Sequence, residues 1–201
     1  MSARETILTS VRSHLPKPAV PLPEVPSSFA VPGQNVKGVL EAFRKQLVEM
    51  GGRWFEVVDA AAARRKIAEL YPSAKVICSA VPEAPGTRRV EDVRDPHELN
   101  DVDVGVIRSP LGVAEAGAVW LTQGELVVNA LGVLAQHLVV LLDPAAVVAT
   151  MHEAYERINL AASPYGLFMA GPSATGDIEG VIIHGAQGAR SLTVLLVVNH
   201  A

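Results

Sequence analysis

The segment Gly171-Pro-Ser-Ala-Thr-Gly-Asp-Ile-Glu179 gathers glycines, hydroxyls and carboxylates into one short stretch. Gly171 and Gly176 let the backbone turn tightly and approach a ligand closely. Ser173, Thr175 and Asp177 are all types that cap a helix start. The segment follows an apolar run, Gly166–Ala170, and precedes a short helix expected over Asp177–Ile183. At such a junction the free amides of the helix start attract an anion. Asp177 and Glu179 would repel a phosphate unless a cation or proton intervened, and a well-capped helix with no ligand accounts for the same residues. Shortly after, Gly185-Ala-Gln-Gly-Ala-Arg190 adds Gly185, Gly188 and an arginine whose planar fork suits a carboxylate or a phosphate. The competing role for Arg190 is an ion pair with Asp177 or Glu179.

Other reactive types are sparse. The histidines are His14, His97, His137, His152, His184 and His200; none forms a zinc-type pair with a third ligand nearby, so no metal site is expected. His137 and His184 lie closest to the glycine-rich motifs and read first as satisfied edge histidines. The one cysteine, Cys78, ends the apolar run Lys75-Val-Ile-Cys78 and reads as a small buried hydrophobe. It can form no internal disulfide and no iron–sulfur cluster within this chain, and a lone thiol fits a reducing compartment. Neither a phosphate-loop lysine motif nor a Gly-x-Gly-x-x-Gly is present.

The elements that must position these residues alternate between strand and helix. With 49% hydrophobic but only 4% aromatic residues, the core is packed with Val, Leu, Ile and Ala, as suits strands buried on both faces of a parallel sheet. Ile7, Leu8, Val11 and Leu15 form one face of an amphipathic arm helix over Ala3–Leu15. Prolines at 16, 18, 21, 23, 26 and 32 make residues 16–34 an extended linker. The body, residues 35–201, opens with a helix from Val36 to the Gly51-Gly52 stop. Strands are expected at Trp54–Val58, Lys75–Cys78, Val102–Arg108, Ala118–Thr122, Glu125–Asn129, His137–Leu142, Gly166–Ala170 and Leu192–Val198. Helices are expected at Ala60–Leu70 and from Pro144 to about Leu160, with a loop over Val81–Arg94. The pattern predicts a three-layer α/β domain with a mostly parallel sheet.

Charge narrows the partners. The formal net charge is −4, and the clusters Arg64–Lys66 and Arg88–Arg89 are short and flanked by acids, so neither a nucleic acid nor a membrane surface is expected. The apolar runs Leu138–Leu142 and Leu192–Val198 are too short to cross a bilayer, and Met1-Ser-Ala-Arg-Glu lacks the apolar core of a signal peptide; a cytoplasmic location is the expectation. The arm's apolar stripe calls for burial on its own body or on a neighbouring chain, which would make a homo-oligomer.

Gly-Pro-Ser-x-Thr-x-Asp-Ile-Glu followed by Gly-x-x-Gly-x-Arg resembles the C-terminal signature of the lactate utilisation protein C family, the LUD domain. Ala114-Glu115-Ala116-Gly117, Leu134-Ala-Gln-His137 and the opening Ala3-Arg-Glu-Thr-Ile-Leu8 match further family motifs, so the resemblance spans nearly the whole chain. Gln187 stands where the family usually has histidine, Ala189 and Ala135 where it has proline, and Ala174 where it has lysine. The resemblance implies a fold like that of CoA transferases, ribose-5-phosphate isomerase and glucosamine-6-phosphate deaminase. It implies work beside iron–sulfur and cysteine-rich partner subunits in oxidising L-lactate to pyruvate, with a small organic acid or phosphorylated ligand here. By analogy with CoA transferases, Glu115 on its Glu-x-Gly turn would be a carboxylate nucleophile; the alternative is a solvated acid. A stand-alone enzyme acting on a CoA ester or phosphorylated small molecule, and a non-catalytic regulatory relative, are the other readings.

Overall fold

A computed structural model describes residues 2–15 and 36–198, apart from the side chains of Val36, Lys37 and Ile178. The chain divides into two units, 1–30 and 31–201. In the first, helix α1 (Ala3–Ser13) starts at Ser2, whose hydroxyl accepts from Glu5 N while Glu5 accepts from Ser2 N. This reciprocal cap ties up two amides that the first turn leaves without partners. The expected stripe is there, but Ile7 and Val11 are exposed and no residue of α1 is buried. The proline-rich linker at 16–34 lies outside the described residues.

The second unit is built on a six-stranded, wholly parallel sheet in the order β1-β12-β7-β4-β2-β3. Its strands are β1 (Arg53–Val57), β2 (Ile77–Ser79), β3 (Arg88–Arg89), β4 (Val104–Ser109), β7 (His137–Leu142) and β12 (Ser191–Val197). Helix α2 (Val36–Glu49) precedes β1, and α3 (Ala60–Leu70) follows it. A second sheet runs β8-β5-β6-β9, from β5 (Leu111–Val113), β6 (Ala118–Thr122), β8 (Val147–Val148) and β9 (Gly166–Ala170). Short helices α4 (Gln123–Leu126) and α5 (Leu131–Leu134) link β6 to β7, and α6 (Met151–Arg157) follows β8. The remaining strands, β10 (Ala174–Ile178) and β11 (Val181–His184), form a separate antiparallel hairpin.

The central strands β4, β7 and β12 are buried on both faces, which is why they are nearly continuous apolar runs. On one face Ala63 and Ile67 of α3 pack on Val106, Val139, Leu141 and Leu195. On the other, Phe43 and Leu47 of α2 and Val119 and Leu121 of the second sheet pack on Leu138, Val140 and Leu196. A side chain such as Leu138, fully buried, contributes roughly 1.5–3 kcal/mol of transfer free energy. Helix α6 covers the outside of the second sheet through Ala154, against Leu111, Val113 and Trp120. The expected layered α/β domain with a mostly parallel sheet is what forms.

Four local expectations fail. Asp177–Ile183 is the β10–β11 hairpin, not a helix. Its turn residues Glu179 and Gly180 both have positive φ, 54° and 73°, the signature of a two-residue hairpin turn. Glu125–Asn129 is not a strand, because Thr122 caps α4 through a reciprocal bond with Glu125. The helix expected from Pro144 to Leu160 is split: a 3-10 turn at Pro144–Ala146, then β8 beside β5, then α6 capped by Thr150. In the expected loop Val81–Arg94, Arg88–Arg89 add the edge strand β3.

Candidate functional site

The amino edge of the parallel sheet collects the polar groups that the strands admit. Side chains alternate along a strand, so Arg53 shares a face with Phe55 and Val57, and His137 shares one with Val139 and Leu141. Ser191 and Thr193 likewise share the face of Leu195 and Val197, towards α3. Register sets Arg53 opposite Thr193 and Ser191 opposite His137. Tyr71, the residue that ends α3, reaches over the same edge and stacks on His137 with ring centroids 4.8 Å apart.

These five side chains form a hydrogen-bonded chain whose direction is fixed at its Arg53 end. Arginine has no acceptor. Arg53 Nη2 therefore donates to Tyr71 Oη at 3.0 Å and to Thr193 Oγ1 at 3.3 Å. Tyr71 Oη lies 3.2 Å from Ser191 Oγ and 3.1 Å from Thr193 Oγ1, and Ser191 Oγ lies 2.8 Å from His137 Nδ1. Burial first, then the positive charges of Arg53 and Arg190, hold the His137 pKa below its ordinary value, with Asp103 opposing weakly. His137 Nδ1 is thus engaged by Ser191, and Nε2 is the ring nitrogen left for a further partner.

Arg190 approaches the same edge from the loop side. Its amide donates to Gln136 O at 2.8 Å, which ties the start of β12 to the residue just before β7. Gly185, at φ 79°, makes room for it: a Cβ there would run into Arg190 Cγ. Ser173 sits between the two glycine-rich segments. Its amide donates to Ala189 O at 2.9 Å, its carbonyl accepts from Gly185 N at 2.8 Å, and a Cβ on Gly188 would lie 3.0 Å from Ser173 Cβ. The structure thus brings Ser173, Gly185, Gly188 and Arg190 together. Among the described residues no acid pairs with Arg190, so the ion pair with Asp177 or Glu179 is absent.

The other expected site residues are placed differently. Thr175 lies on the hairpin opposite Ile183, and its hydroxyl accepts from Asp177 N at 3.3 Å. Asp177 and Glu179 are exposed towards the hairpin tip, so the helix start they were expected to cap does not exist. Gly171, at φ 70°, turns the chain against the end of α2, where a Cβ would strike the Met50 carbonyl. Gly117, at φ 57°, does the same against Leu47 N. The Gly117 turn lies beside Gly171 because Ala118 pairs with Ala170. Glu115 on that turn is exposed, and its Oε2 accepts from Met151 N at 2.9 Å, which spends the carboxylate on the start of α6. Cys78 is buried, and burial pushes its thiol up to about 11, which leaves it unreactive at neutral pH. No group of three metal-ligating side chains is found among the described residues.

Of the residues at this edge the sequence marks Arg190 as a site candidate and His137 as a satisfied edge histidine near a motif; Arg53, Tyr71, Ser191 and Thr193 are not marked. The available signal was the alternation Ser191-Leu-Thr193 entering an otherwise apolar strand, hydroxyls two apart and therefore on one face.

A wholly parallel six-stranded sheet with a polar, cationic amino edge, together with a second sheet and a glycine-rich hairpin, defines a layered α/β domain. A family model described as the LUD domain matches residues 40–197, and the chain belongs to that family. The fold is similar to the crystal structure of a DUF162 family protein from Deinococcus radiodurans, with a TM-score of 0.63 at 18% identity, covering 81% of this chain and 98% of that one. No curated protein matches the chain. No helix among the described residues is long and apolar enough to cross a membrane.

Proposed function

We propose that this chain is the organic-acid-binding subunit of a system that oxidises L-lactate to pyruvate, with the acid's carboxylate held at the amino edge of the parallel sheet. The observation that carries this reading is the pair Arg53 and Arg190. Both bear on His137, and among the described residues neither has a carboxylate partner. Guanidinium groups whose charge no acid balances, beside a hydroxyl-lined edge, suit a small carboxylate. His137 Nε2 adds a polar contact for the hydroxyl or keto oxygen next to that carboxylate. With Cys78 buried and its thiol held protonated, electrons would travel through iron–sulfur and cysteine-rich partner subunits. The family name agrees with such a role. The alternative of a carboxylate nucleophile on a CoA ester is not favoured, because Glu115 already holds Met151 N–H.

Isothermal titration of L-lactate and pyruvate into the wild-type chain and into Arg190→Ala tests the reading. Saturable binding lost in the variant supports it. Equal binding by both proteins, or binding by neither, overturns it.

A further inference from the structure

The geometry points to a second small-molecule site, for a flat aromatic carboxylate, on the outer face of the second sheet. A cavity of about 350 Å³ lies there between β5, β6 and the chain that follows α6. Its wall includes Leu111, Trp120 and Ile158, and its polar lining includes Thr122, Arg157 and Asn159. That volume falls in the range of pockets that enclose small organic ligands. A bare three-carbon acid would leave much of it to water.

The wall is aromatic and stiff. Trp120 is only 8% exposed and leans on Phe168 with centroids 4.6 Å apart; Phe168 in turn meets Tyr155 edge-on at 5.9 Å. Gly166 leaves room for the indole: a Cβ there would collide with its six-membered ring. Buried Ser109 locks the approach by donating to Leu111 O at 2.8 Å and Trp120 O at 2.7 Å. A planar ligand ring therefore meets a pre-set apolar surface, which keeps the ordering cost of binding low.

The polar lining supplies donors. Arg157 is exposed, and among the described residues no acid pairs with it. Asn159 spends its Oδ1 on Ala161 N at 3.0 Å, which fixes the loop and leaves the Asn159 amide NH2 as a donor. Neither aspartate nor glutamate is among the lining residues. An arginine and an amide above an aromatic wall match an anion carried on a ring. Arg157 also sits in the last turn of α6, where its charge complements the helix carbonyls, so the test must separate that structural role from binding.

The two tryptophans give a direct readout, because Trp54 belongs to the other core cluster. Phenylacetate is titrated into the 15N-labelled chain while the indole N–H signals are followed. The expected result is a saturable shift of the Trp120 signal with Trp54 unmoved, at least tenfold weaker for neutral phenylacetamide and about tenfold weaker in Arg157→Gln. Arg190→Ala should leave the titration unchanged, so failure of the lactate reading and failure of this site are distinguishable. No Trp120 shift at millimolar phenylacetate, an equal response to the amide, or an unchanged response in a folded Arg157→Gln protein each overturns the proposal.

Discussion

The two ends of the parallel sheet treat the same residue types in opposite ways. At the carboxyl ends, Ser79 closes β2 and Ser109 closes β4, and each hydroxyl is consumed in turning the chain. Ser79 Oγ bonds the Val81 and Ala84 carbonyls and accepts from Val81 N; Ser109 Oγ bonds the Leu111 and Trp120 carbonyls. Arg108 at that end is paired with Glu83. At the amino ends, Ser191, Thr193, Tyr71 and His137 bond one another, and Arg53 and Arg190 keep their charge unpaired by any acid among the described residues. In open α/β sheets ligands are expected beyond the carboxyl ends. Here the strand-end hydroxyls of that edge are committed to structure, and the uncommitted charge lies at the opposite edge. Fold topology alone would place a ligand at the carboxyl edge; the accounting of donors and acceptors is what favours the proposed site at the amino edge.

The sharpest way to break this comparison is through the glycines that hold the loops behind the amino edge. Gly171→Ala would place a methyl on the Met50 carbonyl at a backbone φ of 70°. A destabilisation on the order of 2–4 kcal/mol is expected in urea unfolding. A midpoint equal to wild type would mean that the Gly171 turn is not held against α2. Next in size is Arg190→Ala, which should weaken carboxylate binding about tenfold to hundredfold, the ~1.5–3 kcal/mol of a hydrogen bond to a charged group. Its stability should stay within about 0.5 kcal/mol of wild type, as for an exposed side chain without a partner. A large stability loss with binding intact would make Arg190 a structural residue.

A matched pair then compares the two edges directly. Ser109→Ala strips the hydroxyl from two buried carbonyls and should cost about 1–3 kcal/mol of stability with carboxylate binding untouched. Ser191→Ala acts at a half-buried position where water replaces the lost bonds, so it should cost about 1 kcal/mol or less yet weaken binding by freeing His137. The reverse pattern in denaturation and titration would invert the assignment of the two edges.

Much of this was legible in advance, and the failures have physical causes. The strands Ala118–Thr122, His137–Leu142 and Ser191–Val197 are legible as nearly continuous buried apolar runs, and Arg53–Val57 and Gly166–Ala170 as short apolar stretches bounded by glycine or proline. The hairpin is hard to see in the sequence because Ser173, Thr175 and Asp177, which suit a helix start, also suit turns. Glu179-Gly180 was the overlooked turn signal. Thr122 with Glu125, three residues on, announced the α4 cap that replaced a supposed strand. The site was half legible. Arg190 and His137 lie in motifs, whereas Arg53, Tyr71 and Ser191 come from three separate elements that only the strand register assembles.

The smallest expected effect is the pH dependence carried by His137, because one half-buried group titrates. Its pKa in the folded protein lies below the ordinary value near 6.5, through burial first and then Arg53 and Arg190. The unfolded chain thus binds the proton more readily over the window between the depressed folded pKa and about 6.5. Stability is full above that window and falls as pH drops through it. In His137→Gln this part of the fall should vanish, so the two proteins' urea midpoints should converge as pH drops. A bound carboxylate reverses the local field: a negative charge beside His137 raises its pKa, so binding takes up a fraction of a proton and tightens as pH falls through the same window. Titrations of pyruvate near pH 6 in two buffers of different ionisation enthalpy measure that uptake. Proton release, or no exchange at any pH between 5 and 7, would place the carboxylate away from His137 and return the amino edge to a purely structural role.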